Sequence, residues 1–200
     1  MKLRGLYAIT PERTESAALR RQVAQALDGG IAMLQYRRKA AQDAGEAREL
    51  AALCRRGGVP FIVNDDIGLA LACGADGVHL GREDGDIAAA RKKLGDRLLG
   101  VSCYDSLAAA RAAASAGADY IAFGSVYSSP TKPDAVRAPL SLFAEARALG
   151  VPLAAIGGIT LQNAPQLLSA GADALAVISD LFDAPDIAGR ARAYGKLFQP

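Results

Sequence analysis

Two hundred residues, 51% of them apolar, suffice for one domain that buries roughly 70% of the surface its unfolded chain would expose, so a single domain over residues 1–200 is expected. A formal net charge of +2 excludes a general attractor for nucleic acid or an acidic membrane, and an anion site must be built locally from gathered side chains. No segment approaches the roughly 18 unbroken apolar residues of a membrane span, and Met1 to Thr10 lacks the apolar stretch of a signal peptide; a soluble cytoplasmic protein is expected.

Short apolar runs rich in β-branched and aromatic residues alternate with Ala/Leu/Arg-rich amphipathic stretches, the pattern of βα units feeding a parallel sheet. In chain order the strands read Leu6–Thr10, Ala32–Arg37, Phe61–Asn64, Gly77–Leu80, Leu98–Ser102, Tyr120–Gly124, Leu153–Ile156 and Leu175–Ile178. A helical segment follows each, the last from about Pro185 to Leu197. This succession predicts a (β/α)8 TIM barrel. Gly74-Ala75-Asp76, Gly117-Ala118-Asp119 and Gly171-Ala172-Asp173 each stand between a helix pattern and a strand. They read as αβ turns on the barrel floor, where glycine suits the left-handed position just past a helix. Their expected role is stability, because barrel active sites lie at the opposite face.

Candidate chemistry collects at the other ends of the strands. In Gln35-Tyr36-Arg37-Arg38-Lys39 the alternation of an extended chain sends Gln35, Arg37 and Lys39 one way and Arg38 the other. An arginine fork, a lysine point charge and a glutamine amide suit an anionic group attached to a ring; a solvated basic strand end is the plain alternative. Asn64-Asp65-Asp66 ends the third strand, and Asp84 follows the fourth in Gly81-Arg82-Glu83-Asp84. Carboxylates on neighbouring strand tips repel unless a cation lies between them, and Mg²⁺ takes one or two carboxylates with water and phosphate completing its shell. Asp65 and Asp84 are therefore the metal candidates and Asp66 the expected cap of the next helix; capping by the whole triplet is the simpler alternative.

The single histidine, His79, lies mid-strand and reads as a core residue satisfied by one hydrogen bond. Ser102 closes the fifth strand, and Gly100 before it would keep the backbone slim for an approaching ligand. Cys54, Cys73 and Cys103 are odd in number and far apart, which suits neither a disulfide framework nor a zinc site. Cys103 has no evident base to activate it, so chemistry is expected to rest on Asp, Lys, Arg and hydroxyls. The long connection from Ser125 to Ala138 has the length of a functional lid. Its Ser128-Ser129-Pro130-Thr131-Lys132 carries hydroxyls and a cation that could close over a diphosphate. Gly157-Gly158 after the seventh strand and Ile178-Ser179 after the eighth fall where barrels often bind phosphate.

Taken in order, Leu6-Tyr7-Ala8-Ile9-Thr10, Gln35 to Lys39, Val63 to Asp66, Gly77 to Asp84, Gly100-Val101-Ser102, Ser129 to Lys132 and Ile156 to Thr160 resemble the thiamine-phosphate synthase family along nearly the whole chain. The resemblance implies a transferase that joins hydroxymethylpyrimidine diphosphate to a methylthiazole ethyl phosphate with Mg²⁺, giving thiamine phosphate and pyrophosphate. Its partners would be small phosphorylated molecules, with no nucleic acid and no membrane. By that likeness Gln35, Tyr36, Arg37, Arg38, Lys39, Asn64, Ser102 and Lys132 would hold the pyrimidine diphosphate. Asp65 and Asp84 would hold the metal, and Ser129, Pro130, Thr131, Gly158, Ile178 and Ser179 the thiazole phosphate. Arg38 and Arg82 depart from the Glu and Gln often found there, and Ser129 from Thr. The implied chemistry is dissociative and needs no protein nucleophile; Arg37, Lys39, Lys132 and Ser102 are its expected catalytic residues. Rival readings are a thiazole tautomerase of the same scaffold, whose histidine after the fifth strand is here replaced by Tyr104, and a phosphate-ligand sensor without turnover. A sugar-phosphate isomerase would need an acid/base pair that is not apparent at the mouth.

Overall fold

Alternate side chains of a strand face opposite ways, and here that alternation separates two cores. The computed structural model describes residues 3–38, 42–128 and 136–199. Parallel strands β1 (Gly5–Ile9), β2 (Met33–Tyr36), β3 (Phe61–Asn64), β4 (Gly77–Leu80), β5 (Leu98–Tyr104), β6 (Tyr120–Phe123), β7 (Leu153–Ile156) and β8 (Ala174–Val177) pair in sequence order, and β8 closes on β1. Around them run α1 (Ser16–Asp28), α2 (Ala44–Gly57), α3 (Ile67–Cys73), α4 (Ile87–Leu94), α5 (Leu107–Ser115), α6 (Ser141–Ala146), α7 (Ala164–Ala170), α8 (Ser179–Phe182) and α9 (Ile187–Lys196). The fold is the expected (β/α)8 barrel. No helix among the described residues is long and apolar enough to cross a membrane.

Inside the barrel lie Tyr7, Ile9, Met33, Ile62 and Tyr120, with the small Ala122, Ala154, Ala174 and Ala176 from β6 to β8. The neighbouring strand positions Leu6, Ala8, Leu34, Tyr36, Phe61, Val63, Leu99 and Val101 turn outward and pack in the larger core shared with the helices. Strand ends fall within one or two residues of the expected positions, and two details differ. First, β5 runs on to Tyr104 through a register shift between Ser102 and Tyr104. Second, the segment after β8 holds the one-turn helix α8 before α9, because four residues are too few for a helical period to declare itself in a sequence.

The repeated Gly-Ala-Asp turns have a common construction on the floor. Gly74 and Gly171 are left-handed C-caps of α3 and α7, and Gly117 adopts a positive φ of 94° one residue past the cap of α5. Each aspartate then grips the preceding strand twice. Asp119 donates its N–H to the Leu99 carbonyl at 2.7 Å and accepts the Leu99 N–H on Oδ2 at 2.7 Å. Asp76 treats Phe61 in the same way at 2.9 and 2.8 Å, and Asp173 treats Leu153 at 2.7 and 2.9 Å. Arg91 and Arg147 add ion pairs to Asp119 and Asp173. These carboxylates complete the strand ladder where the sheet would otherwise leave an N–H unpaired. Asp119→Ala strands the Leu99 N–H and is expected to cost about 1–3 kcal/mol; urea denaturation measures the loss, and catalysis at the opposite face should persist wherever the protein stays folded.

Candidate active site

Every strand sends residues from its C-terminal end into one cavity of about 970 Å³. Register explains which ones. On β2, Gln35 turns inward, and Arg37 beyond the strand end also lines the cavity. The Arg37 N–H donates to Thr10 Oγ1 at 2.9 Å, and its guanidinium lies 3.6 Å from Glu12 Oε2. Tyr36 and Arg38 do not line the cavity. The Tyr36 hydroxyl donates to Glu46 Oε2 at 2.7 Å, while Arg38 donates to both Glu46 oxygens and to the carbonyls of Glu12 and Thr14. Glu46 is buried, so this cluster anchors the exit of β2 from the outer side of the barrel and engages both side chains away from the cavity lining. Lys39, Ser129, Pro130, Thr131 and Lys132 lie outside the described residues.

Asn64, Asp65 and Asp84 line the same cavity. Asp65 takes a left-handed backbone with φ 65°, which Asp tolerates better than most residues. The turn divides the labour of the two aspartates: Asp66 accepts the Leu69 N–H at 2.8 Å as the N-cap of α3, and Asp65 is left at the mouth. Asn64 Nδ2 donates to Asp65 Oδ2, and the Gly81 N–H donates to Asp84 Oδ2 at 2.6 Å. Among the described residues no group of three or more His, Cys, Asp or Glu could hold a metal. Asp65 and Asp84 bring two carboxylates with hard oxygens, each steadied by a neighbouring N–H, to one cavity, a pair of the kind that fits a magnesium-type ion drawing its remaining ligands from water and phosphate.

Beneath the mouth a chain of hydrogen bonds crosses the barrel. Gln35 Nε2 donates to the Tyr7 hydroxyl at 2.7 Å, and that hydroxyl meets the Tyr120 hydroxyl at 2.7 Å. Tyr120 continues to His79 Nδ1 at 3.1 Å, and His79 Nε2 reaches Ser102 Oγ at 2.8 Å. His79 thus makes two hydrogen bonds where one was expected. Burial pushes its pKa down to about 4 against a smaller opposing pull from Asp84, so the ring is neutral at pH 7. Burial likewise raises the pKa of both Tyr7 and Tyr120. Gly100 corrects a second expectation. A Cβ there would come within 2.1 Å of Tyr120 Cζ and 2.6 Å of His79 Nδ1, so the space this glycine opens belongs to those two side chains and not to a ligand. Tyr7 and Tyr120 went unmarked in the sequence because a tyrosine in an apolar strand reads as core, and their register partners Met33, Ala176 and Gly100 are not polar.

The other half of the mouth is built on close backbone contact. Gly158, with φ 63°, lies where a Cβ would meet the Ser128 carbonyl at 2.2 Å. The N–H groups of Val126 and Tyr127 donate to the carbonyls of Ile156 and Gly157, seating the start of the long connection against β7. Gly158, Ile178 and Ser179 all line the cavity. Tyr104 faces it too, with the Arg82 guanidinium 4.7 Å from its ring centroid. Cys54, Cys73 and Cys103 are free and buried, and burial pushes the Cys103 thiol up to about 12, which removes it as a nucleophile.

Comparison with known proteins agrees with this geometry. The family model described as thiamine monophosphate synthase matches residues 6–181. The thiamine-phosphate synthase of Aromatoleum aromaticum is 61% identical, covering 98% of this chain and 97% of its own, and that of Azoarcus sp. is 57% identical over 98% of each. The solved structure of thiamine phosphate pyrophosphorylase from Pyrococcus furiosus superposes with a TM-score of 0.86 at 34% identity, covering 98% of this chain and 96% of that one. With the fold, the cavity and these likenesses in agreement, the chain belongs to the thiamine monophosphate synthase family of transferases.

Proposed function

We propose that residues 1–200 work as one catalytic domain whose barrel mouth joins 4-amino-2-methyl-5-hydroxymethylpyrimidine diphosphate to 4-methyl-5-(2-phosphoethyl)thiazole, releasing pyrophosphate. The observation that carries this reading is the convergence of Gln35, Arg37, Asn64, Asp65, Asp84, Ser102, Gly158 and Ser179 on one cavity. Such a mouth holds acidic groups for a cation, a guanidinium for a diphosphate, and amide and hydroxyl groups for a heteroaromatic ring.

Asp65 and Asp84 would hold Mg²⁺, which when bound neutralises the diphosphate and the pyrophosphate it becomes. The bond that breaks joins the pyrimidine methylene carbon to the diphosphate oxygen, and its electron pair leaves on pyrophosphate. The electron-rich aminopyrimidine carries the resulting cation until the thiazole nitrogen donates its lone pair to form the new C–N bond. No residue has to act as a nucleophile. Arg37 offers donors to the departing oxygens, and its ion pair with Glu12 holds the guanidinium at the rim. Lys39 and Lys132 are assigned to the same diphosphate by the family likeness. Gln35 and Ser102 orient the ring, and the Gly158 backbone with Ile178 and Ser179 takes the thiazole phosphate, aided by Ser129, Pro130 and Thr131. Buried, preorganised charges act this way because their dipoles need no rearrangement as charge develops.

Incubating the protein with both substrates and Mg²⁺ is expected to yield thiamine phosphate, read by fluorescence after oxidation; folded protein that forms none would overturn the assignment. Chelation by EDTA should stop turnover and added Mg²⁺ should restore it. Arg37→Ala is expected to lower kcat by about a hundredfold, equivalent to about 3 kcal/mol of transition-state stabilisation. Asp84→Asn should raise the Mg²⁺ concentration needed for half-maximal rate, and an unchanged requirement would remove Asp84 from the metal site.

A further inference from the structure

The buried string from Gln35 to Ser102 has a property that none of its members has alone: a direction. Each tyrosine hydroxyl carries one hydrogen, and a neutral imidazole has one N–H and one bare nitrogen. With Gln35 Nε2 donating to Tyr7, the Tyr7 hydrogen passes to Tyr120, since no other partner for that hydroxyl is present among the described residues. The Tyr120 hydrogen then falls to His79 Nδ1, which leaves the histidine proton on Nε2, directed at Ser102 Oγ. The reverse sense would leave Tyr7 with two donors and no acceptor for its own hydrogen, a costly arrangement for a buried group.

We propose that Tyr7, Tyr120 and His79 are positioning residues that fix the donor sense of the Ser102 hydroxyl, so that Ser102 accepts from below and presents its O–H to the ligand. This deepens the proposed function and rests on it for the ligand: the atom met by Ser102 is an acceptor, a ring nitrogen or a diphosphate oxygen, never an N–H. The far end is set at the same time. Because Gln35 spends an Nε2 hydrogen on Tyr7, its Oε1 is left to accept, which suits an exocyclic amino group on the same ring. The string therefore selects a ring that donates toward β2 and accepts toward β5. Gly100 is the condition for it, since a Cβ there would come within 2.3 Å of the Tyr120 hydroxyl and 2.6 Å of His79 Nδ1.

His79 is the only histidine of the chain, so labelling histidine with ¹⁵N gives the ring nitrogens of one residue. At neutral pH the free protein is expected to show the neutral tautomer protonated on Nε2; a predominant Nδ1–H tautomer or an imidazolium would overturn the proposal. Tyr120→Phe keeps the ring that packs edge-on against Tyr7 at 5.8 Å between centroids and removes only the link. It should mix the two tautomers and lower kcat/KM for the pyrimidine diphosphate by about tenfold, the scale of one lost hydrogen bond. In a Ser102→Ala background the same change should cost nothing further, whereas fully additive losses would mean that Tyr120 serves packing alone. Tyr7→Phe offers a second break in the string, and the wild-type spectrum decides even where a variant fails to fold. A protein with the Nε2–H tautomer that forms no thiamine phosphate would refute the assigned reaction while upholding the direction of the string.

Discussion

Closing short strands into a barrel forces every second side chain into a narrow interior, and that space admits large residues only where others are small. In this chain Ala122, Ala154, Ala174, Ala176 and Gly100 leave the volume to Tyr7, Tyr120, Met33, Ile62 and His79. The same alternation that fills the lower interior determines which residues emerge at the top. Gln35 and Arg37 share a side because they are two apart, and Tyr36 and Arg38 are committed to Glu46 for the same reason. Mouth chemistry and core packing are thus two levels of one pattern.

Aspartate shows how the level decides the role. On the floor, Asp76, Asp119 and Asp173 each complete a strand ladder by accepting a backbone N–H, so their carboxylates are occupied by the fold itself. At the mouth, Asp65 accepts from Asn64 Nδ2 and Asp84 from the Gly81 N–H, and both carboxylates line the cavity. Asp66, adjacent to Asp65, is drawn away as a helix cap. One residue type therefore supplies ladder ends, a cap and a proposed cation site, and the local backbone separates these uses more sharply than composition could.

Much of this was legible in the sequence because it depends on period and position. The strands, the Gly-Ala-Asp floor turns, the cap at Asp66 and the inward side of Gln35 and Arg37 all follow from alternation or turn chemistry. The opposite orientation of Arg38 followed from the same rule, while the occupation of Tyr36 by Glu46 did not, since that contact joins a strand to the helix after it. The string through Tyr7, Tyr120, His79 and Ser102 was out of reach. It links β1, β6, β4 and β5, and no local pattern announces that residues 113 apart share a hydrogen bond. Gly100 was misread for a related reason: a missing side chain is visible in a sequence, but what fills the space is not.

The string also raises a question of cost that bears on function. Polar groups taken out of water are tolerated only when fully paired, and here burial is severe enough to hold His79 neutral, with a pKa near 4, and to raise both tyrosines. A barrel interior of this size can be filled with aliphatic side chains, as β7 and β8 partly are, and such a filling would carry no desolvation penalty. Stability alone therefore does not account for a run of polar side chains through the centre of the barrel. Its two ends, Gln35 and Ser102, both open on the cavity. A rigid, saturated string with an amide and a hydroxyl at its ends converts a packing expense into orientation, holding both in fixed senses before the substrate arrives, which is the form of preorganisation that a reaction without a protein nucleophile requires.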